Sequence, residues 1–115
     1  MSAAVVYITA KDREQALTIG RTLVAERLVA CVNVLDGMTS IYCWKGQTCE
    51  EREAVLFAKT RTELVGAVIE RVRQLHSYEC PCVVSWDVAQ GHEPYLRWIE
   101  EQTLTRSVSE GERSK

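Results

Sequence analysis

The apolar positions of this chain fall into β-type runs that are separated by stretches with helical spacing. Residues 3–9 (AAVVYIT) are continuously apolar, which is typical of a central β-strand. Residues 26–46 form a long β-rich run that is broken by Asp36-Gly37 and turned by Lys45-Gly46. A second apolar run follows at residues 53–60. The two runs together predict a long antiparallel ribbon.

Helical spacing follows the first strand. Asp12 offers an N-cap oxygen and Gln15 lies three positions further on, as in a capping box. The apolar residues after this point recur on one face, and we predict a first helix over residues 13–27.

A second capping box is predicted at Thr60 and Glu63, with the helix that follows ending near His76. Residues 82–89 (CVVSWDVA) predict a fourth strand, and Pro94 favours the first turn of a short third helix.

The resulting order is β-α-β-β-α-β with an added terminal helix. This split arrangement packs an antiparallel sheet against two helices and leaves the other sheet face bare. A bare face and an overlong ribbon both predict a homo-oligomer. We expect one domain over residues 1–102 and a disordered tail over residues 103–115, because that tail is rich in Ser, Thr and charged residues.

Composition narrows the class of protein. The chain has 115 residues, 46% of them hydrophobic, and a net charge of −2. The absence of a basic block argues against a nucleic-acid partner. The apolar run at residues 1–9 is short and is followed directly by charged residues, so neither a signal peptide nor a membrane span is predicted. Five cysteines, an odd number, indicate reduced thiols and a cytoplasmic protein.

Several segments, in order, match one known family. They are Ala30-Cys31-Val32-Asn33, Thr39-Ser40-Ile41-Tyr42 with Trp44 and Gly46, Lys59-Thr60, Leu75-His76 with Tyr78-Glu79 and Pro81, and Tyr95-Leu96 with Trp98-Ile99. On these residues the chain resembles the CutA family of divalent-cation-tolerance proteins. The resemblance implies a ferredoxin-like fold, a tight trimer, an architecture like the PII signalling proteins, and association with copper or another divalent cation.

The chain departs from the family at two points. His76-Ser77-Tyr78 replaces the usual His-Pro-Tyr, and Ile8 or Thr9 stands where some bacterial relatives carry a cysteine. A copper site built on that missing thiol is therefore in doubt.

Two residues are candidate metal ligands. Cys31 is the family-matched thiol, and a soft ligand suits Cu(I) or Zn. His76 ends the second helix, where its imidazole either binds metal or interacts with the helix terminus. Cys80-Pro81-Cys82 is a further Cys-x-Cys pair that could hold a soft metal, whereas Cys43 and Cys49 flank the ribbon turn and have no predicted role.

Tyr42, Trp44, Lys59 and Glu79 are candidates for a ligand cleft or interface between subunits, since aromatic residues at a ribbon tip commonly anchor interfaces. Lys59 could meet a carboxylate such as Glu79 or an anionic ligand.

The predicted function is that of a homotrimeric divalent-cation (copper) binding and tolerance protein. The alternative is a PII-like regulatory or scaffolding trimer that binds a small ligand or a protein partner and has no metal role. No Gly-rich phosphate loop and no Gly-x-Ser-x-Gly elbow occurs, and we do not predict an enzyme.

Overall fold

The computed structural model describes residues 2–104, and its elements occur in the predicted order. The strands are β1 (Ala3–Ala10), β2 (Cys31–Trp44), β3 (Gln47–Arg61) and β4 (Val83–Asp87). The helices are α1 (Arg13–Ala25), α2 (Val65–Leu75) and α3 (Glu93–Gln102). The strands form one antiparallel sheet in the order β2-β3-β1-β4. The α+β, ferredoxin-like prediction is confirmed.

Alternation along β1 divides the sheet into two faces. Val6, Ile8 and Ala10 are fully buried, and they belong to the core formed with α1 and α2. Val5 and Tyr7 point to the opposite side, which we call the open face. The sequence pattern predicts that this face is bare. In the structure, α3 covers one end of it by packing Ile99 against Ala3.

The first helix begins as predicted. Asp12 Oδ1 accepts a hydrogen bond from the Gln15 amide at 2.9 Å. The Gln15 side chain reaches back to the Lys11 amide, also at 2.9 Å, rather than to the amide of Asp12. The helix ends at Ala25, before Arg27 adopts a positive φ of 61°.

The predicted second capping box is wrong. Thr60 lies inside β3, which runs through Arg61, and its hydroxyl donates to the Leu28 carbonyl at 2.6 Å. The chain enters α2 through a 3-10 turn, Thr62–Leu64, and neither element has a side-chain cap. A fully buried threonine is committed to the strand and cannot also cap a helix.

The long hairpin is confirmed, and it is longer than the apolar pattern indicated. Residues 38–44 pair with residues 47–53 beyond the last β1–β3 pair, Ala10 with Ala54. We call this protruding segment the ribbon. A bulge between Leu35 and Met38 places Gly37 at a φ of 78°, and Lys45 and Gly46 both have positive φ in a two-residue turn.

The expected tail begins at Thr103, which is itself buried and accepts a hydrogen bond from Arg61 Nε at 3.0 Å. Residues 105–115, the rest of that predicted tail, lie outside the described residues.

Candidate functional site

Cys31 opens β2 and faces the open side of the sheet. It is paired with Lys59, which is paired in turn with Val5 of β1. The Cys31 thiol lies 3.5 Å from the Tyr95 hydroxyl of α3. Burial and then this contact raise the pKa of Tyr95 to about 12. Cys31 is therefore tied to the third helix, a contact between residues 64 positions apart.

Lys59 lies beside this thiol and completes a small polar cluster. Its ammonium donates to Asn33 Oδ1 at 2.6 Å and stands 6.0 Å from the centre of the Tyr95 ring. The Tyr95 ring stacks on Trp98 with 5.6 Å between centroids. We call Cys31, Asn33, Lys59, Tyr95 and Trp98 the Lys59 cluster. It combines a cation, a thiol and an aromatic surface at one end of the open face.

His76 follows α2 and is buried, and both of its ring nitrogens have backbone partners. Nδ1 accepts from the Tyr78 amide at 3.1 Å, and the Thr9 carbonyl lies 2.7 Å from Nε2. Since a carbonyl only accepts, the Nε2 nitrogen must carry the proton, and the ring is the neutral Nε2–H tautomer. Metal binding by His76 would require one of these bonds to be exchanged.

One chain does not bring Cys31 and His76 together. Cys31 and Val5 both pair with Lys59, so they lie in the same row across the sheet. His76 contacts Thr9, which is four positions along β1 from Val5. Four residues of strand correspond to about 13 Å. Within residues 2–104, no three His, Cys, Asp or Glu side chains come close enough to hold a metal ion. The pair therefore does not fit a metal ion within a single chain.

The candidate cleft residues also lie apart within one chain. Tyr42 and Trp44 are exposed on the ribbon, and the Tyr42 hydroxyl donates to Glu51 at 2.9 Å. Hydrogen bonding to that carboxylate raises the pKa of Tyr42 to about 12. Tyr42 pairs with Cys49 of β3, and Lys59 lies ten positions further along the same strand. Tyr42 and Lys59 are therefore separated by about 33 Å of strand.

Glu79 is exposed in the segment between α2 and β4. Lys59 contacts Asn33 instead of Glu79. Neighbouring subunits would be needed to assemble a cleft from all four predicted residues.

A buried carboxylate at the base of the ribbon is a feature that the sequence analysis missed. Glu53 is 8% exposed and accepts hydrogen bonds from Ser40 Oγ at 2.6 Å and from the Tyr78 hydroxyl at 2.8 Å. Burial, followed by the bond to this carboxylate, raises the pKa of Tyr78. An acidic residue that opens the apolar run 53–60 was the available signal.

All five cysteines are free. Tyr42 pairs with Cys49 and the next residue, Cys43, with Thr48, so Cys43 and Cys49 lie on opposite faces of the ribbon. Cys80 and Cys82 are exposed and precede β4, which begins at Val83. Burial raises the pKa of the Cys82 thiol; a hydrogen bond to Thr9 opposes this shift and the Glu53 charge adds to it.

The sheet order, the two helices on one face and the protruding ribbon define a ferredoxin-like α+β protein. The family model for "CutA1 divalent ion tolerance protein" matches residues 4–102. The chain belongs to this family.

Individual relatives agree with this assignment. The divalent-cation tolerance protein CutA of Thermus thermophilus is 46% identical over 86% of this chain and 96% of its own length. Mouse Protein CutA is 41% identical over 94% of this chain, which spans only 60% of the mouse protein. The solved CutA1 structure from Oryza sativa superposes with a TM-score of 0.89 at 33% identity, covering 90% of this chain and 95% of that one. Among the described residues, no helix is both long and apolar enough to cross a membrane.

Proposed function

We propose that this protein is a homotrimer that functions in tolerance to divalent metal ions, with copper as the bound ion. The observation that carries the oligomer is the exposure of large apolar side chains on the ribbon and the open face. Ile41 is 66% exposed, Trp44 54% and Trp86 47%. Apolar surface of this kind marks association sites, and the family resemblance supports three copies.

The metal role is supported by membership of the CutA1 divalent ion tolerance family. Of the two proposed ligands, the geometry favours Cys31. Its thiol has a single hydrogen-bond partner, the Tyr95 hydroxyl at 3.5 Å, whereas both ring nitrogens of His76 have backbone partners, at 2.7 and 3.1 Å. Copper binding through Cys31 is expected to be weak and to survive the loss of His76.

Copper titration followed by native mass spectrometry of the reduced protein tests this assignment. The variants are Cys31→Ser and His76→Ala, and Cys43→Ser serves as a control that removes an exposed ribbon thiol. Cys31→Ser should lower the copper bound by one ion per chain, and Cys43→Ser should not. Equal uptake by Cys31→Ser and the wild type would refute Cys31 as a ligand.

The second candidate function is a trimeric scaffold that binds a small anionic ligand. It is favoured by Lys59, whose ammonium meets the neutral amide oxygen of Asn33 beside the stacked rings of Tyr95 and Trp98. In a trimer, Tyr42, Trp44 and Glu79 of neighbouring subunits would close this cleft.

Tryptophan fluorescence during titration with benzoate and with inorganic phosphate tests the ligand role. Lys59→Gln should abolish a saturable response, and Lys45→Gln, at the ribbon turn, should retain it. An identical response from Lys59→Gln and the wild type would eliminate this candidate.

Both candidate roles are non-catalytic, and both suit a cytoplasmic protein. Five free thiols are consistent with a reducing compartment.

A further inference from the structure

The segment between α2 and β4 carries two thiols that neither candidate role uses. Cys80 and Cys82 are separated by one proline and are both exposed. Proline fixes its own φ and restricts Cys80, the residue before it, to extended conformations. Little backbone entropy is then left to lose when the two exposed thiols rotate toward a shared ion.

This segment is fastened to the domain on both sides of the thiols. Ser77 Oγ accepts from the Gln15 amide group at 2.7 Å, and the Tyr78 hydroxyl donates to Glu53 at 2.8 Å. On the far side, the Cys82 carbonyl accepts from the Thr9 amide at 3.3 Å. These hydrogen bonds fix the backbone on both sides of the Cys-Pro-Cys unit, as the supporting contacts of a ligand pair do.

The ligand count selects the class of ion. Closed zinc sites use four ligands, and no group of three His, Cys, Asp or Glu side chains suited to a metal occurs in residues 2–104. Thiolates select soft ions, of which Cu(I) is stable with only a pair of them.

The other cysteines offer no comparable pair. Cys43 and Cys49 lie on opposite faces of the ribbon, and Cys31 has no second cysteine close to it in the chain. Cys80 and Cys82 are the two thiols closest in sequence, and both are open to solvent.

We propose that Cys80 and Cys82 form a Cu(I) site in which the ion is held as a bis-thiolate. Binding replaces the two thiol protons, which pass to solvent, and involves no change in oxidation state. The site is independent of the copper role proposed for Cys31, so either assignment can fail without the other.

Anaerobic titration of the reduced full-length protein with Cu(I), in competition with the chelator bicinchoninate, tests the proposal. The variants are Cys80→Ser and Cys82→Ser, together with Cys31→Ser to distinguish this site from the one proposed at Cys31. The matched control is the double variant Cys43→Ser/Cys49→Ser, which also removes thiols but leaves the proposed site intact. Native mass and far-ultraviolet circular dichroism confirm that each variant keeps the wild-type assembly and fold.

The wild type and the ribbon control should each retain one Cu(I) per chain against the chelator, and either serine at position 80 or 82 should abolish that retention. X-ray absorption of the copper-loaded wild type should show sulfur neighbours alone. Retention by both serine variants, or equal loss in the ribbon control, would overturn the site. Loss in Cys31→Ser alone would assign the copper to Cys31 and also overturn it.

Discussion

The hydrogen bond between Tyr78 and Glu53 joins the segment after α2 to the base of the ribbon, and its removal should destabilise the fold measurably. The carboxylate is 8% exposed and the two oxygens are 2.8 Å apart. A hydrogen bond to a charged group contributes about 1.5–3 kcal/mol. We therefore expect Tyr78→Phe to lower the free energy of unfolding by about 2 kcal/mol.

The Tyr78 ring also packs against the His76 ring, with 4.6 Å between the two ring centroids. A double-mutant cycle separates the energy of the hydrogen bond from that of this packing. Wild type, Tyr78→Phe, Glu53→Gln and the double variant are unfolded in urea at one fixed protein concentration and followed by tryptophan fluorescence. The coupling energy should exceed about 1 kcal/mol.

The matched control is the Tyr42–Glu51 pair, which has nearly the same length, 2.9 Å, but lies on the exposed ribbon. Solvent screens that pair, so the cycle of Tyr42→Phe and Glu51→Gln should show a clearly smaller coupling energy. Equal coupling energies for the two pairs would refute the argument that burial makes the Glu53 bond strong.

Three further predictions concern the core, the bulge and the Lys59 cluster. Thr60→Val should lower the free energy of unfolding by about 1–3 kcal/mol, because the Leu28 carbonyl loses a 2.6 Å hydrogen bond from a fully buried hydroxyl. An unchanged midpoint in urea unfolding would contradict this. Gly37→Ala should lower the free energy of unfolding by about 1 kcal/mol, because a positive φ of 78° is unfavourable for a residue with a Cβ atom. The surrounding space itself would admit the added methyl group. Tyr95 should ionise near pH 12. Its ionisation is obtained by subtracting the tyrosinate absorbance of Tyr95→Phe from that of the wild type at each pH. Because its folded pKa is raised, the associated stability is present below pH 10 and is lost as pH rises toward 12; ionisation near pH 10 would contradict the burial and the Cys31 contact.

The order of elements could be read from the sequence because each element carries a local signal. Asp12 and Gln15 mark the start of α1, Gly37 marks the bulge, and Lys45-Gly46 marks the turn. All of these depend on residues close together in the chain.

The errors arise where tertiary contacts override local patterns. Thr60 has the spacing of a helix cap, but its hydroxyl is used by Leu28, 32 positions away. The ribbon half of β3, residues 47–52, is largely polar, and it is a strand because backbone pairing with β2 holds it there. Propensity along one strand could not reveal that pairing.

The candidate site was only partly accessible to the same reasoning. Cys31 and Lys59 were chosen from family-matched segments, but their proximity follows from strand pairing, and Tyr95 joins them across 64 positions. The sequence predicts that His76 either binds metal or interacts with the helix terminus, whereas folding directs both of its ring nitrogens to the backbone. Contacts of this kind become visible only with the fold.

The proposed assembly of three chains through the ribbon and the open face is tested by native mass spectrometry of the full-length reduced protein at micromolar concentration. We expect a species of three chains that persists on dilution, because apolar side chains such as Ile41 and Trp86 are 66% and 47% exposed in the isolated chain and would be buried on assembly. A monomer at that concentration would show that these exposed apolar side chains do not form a subunit interface.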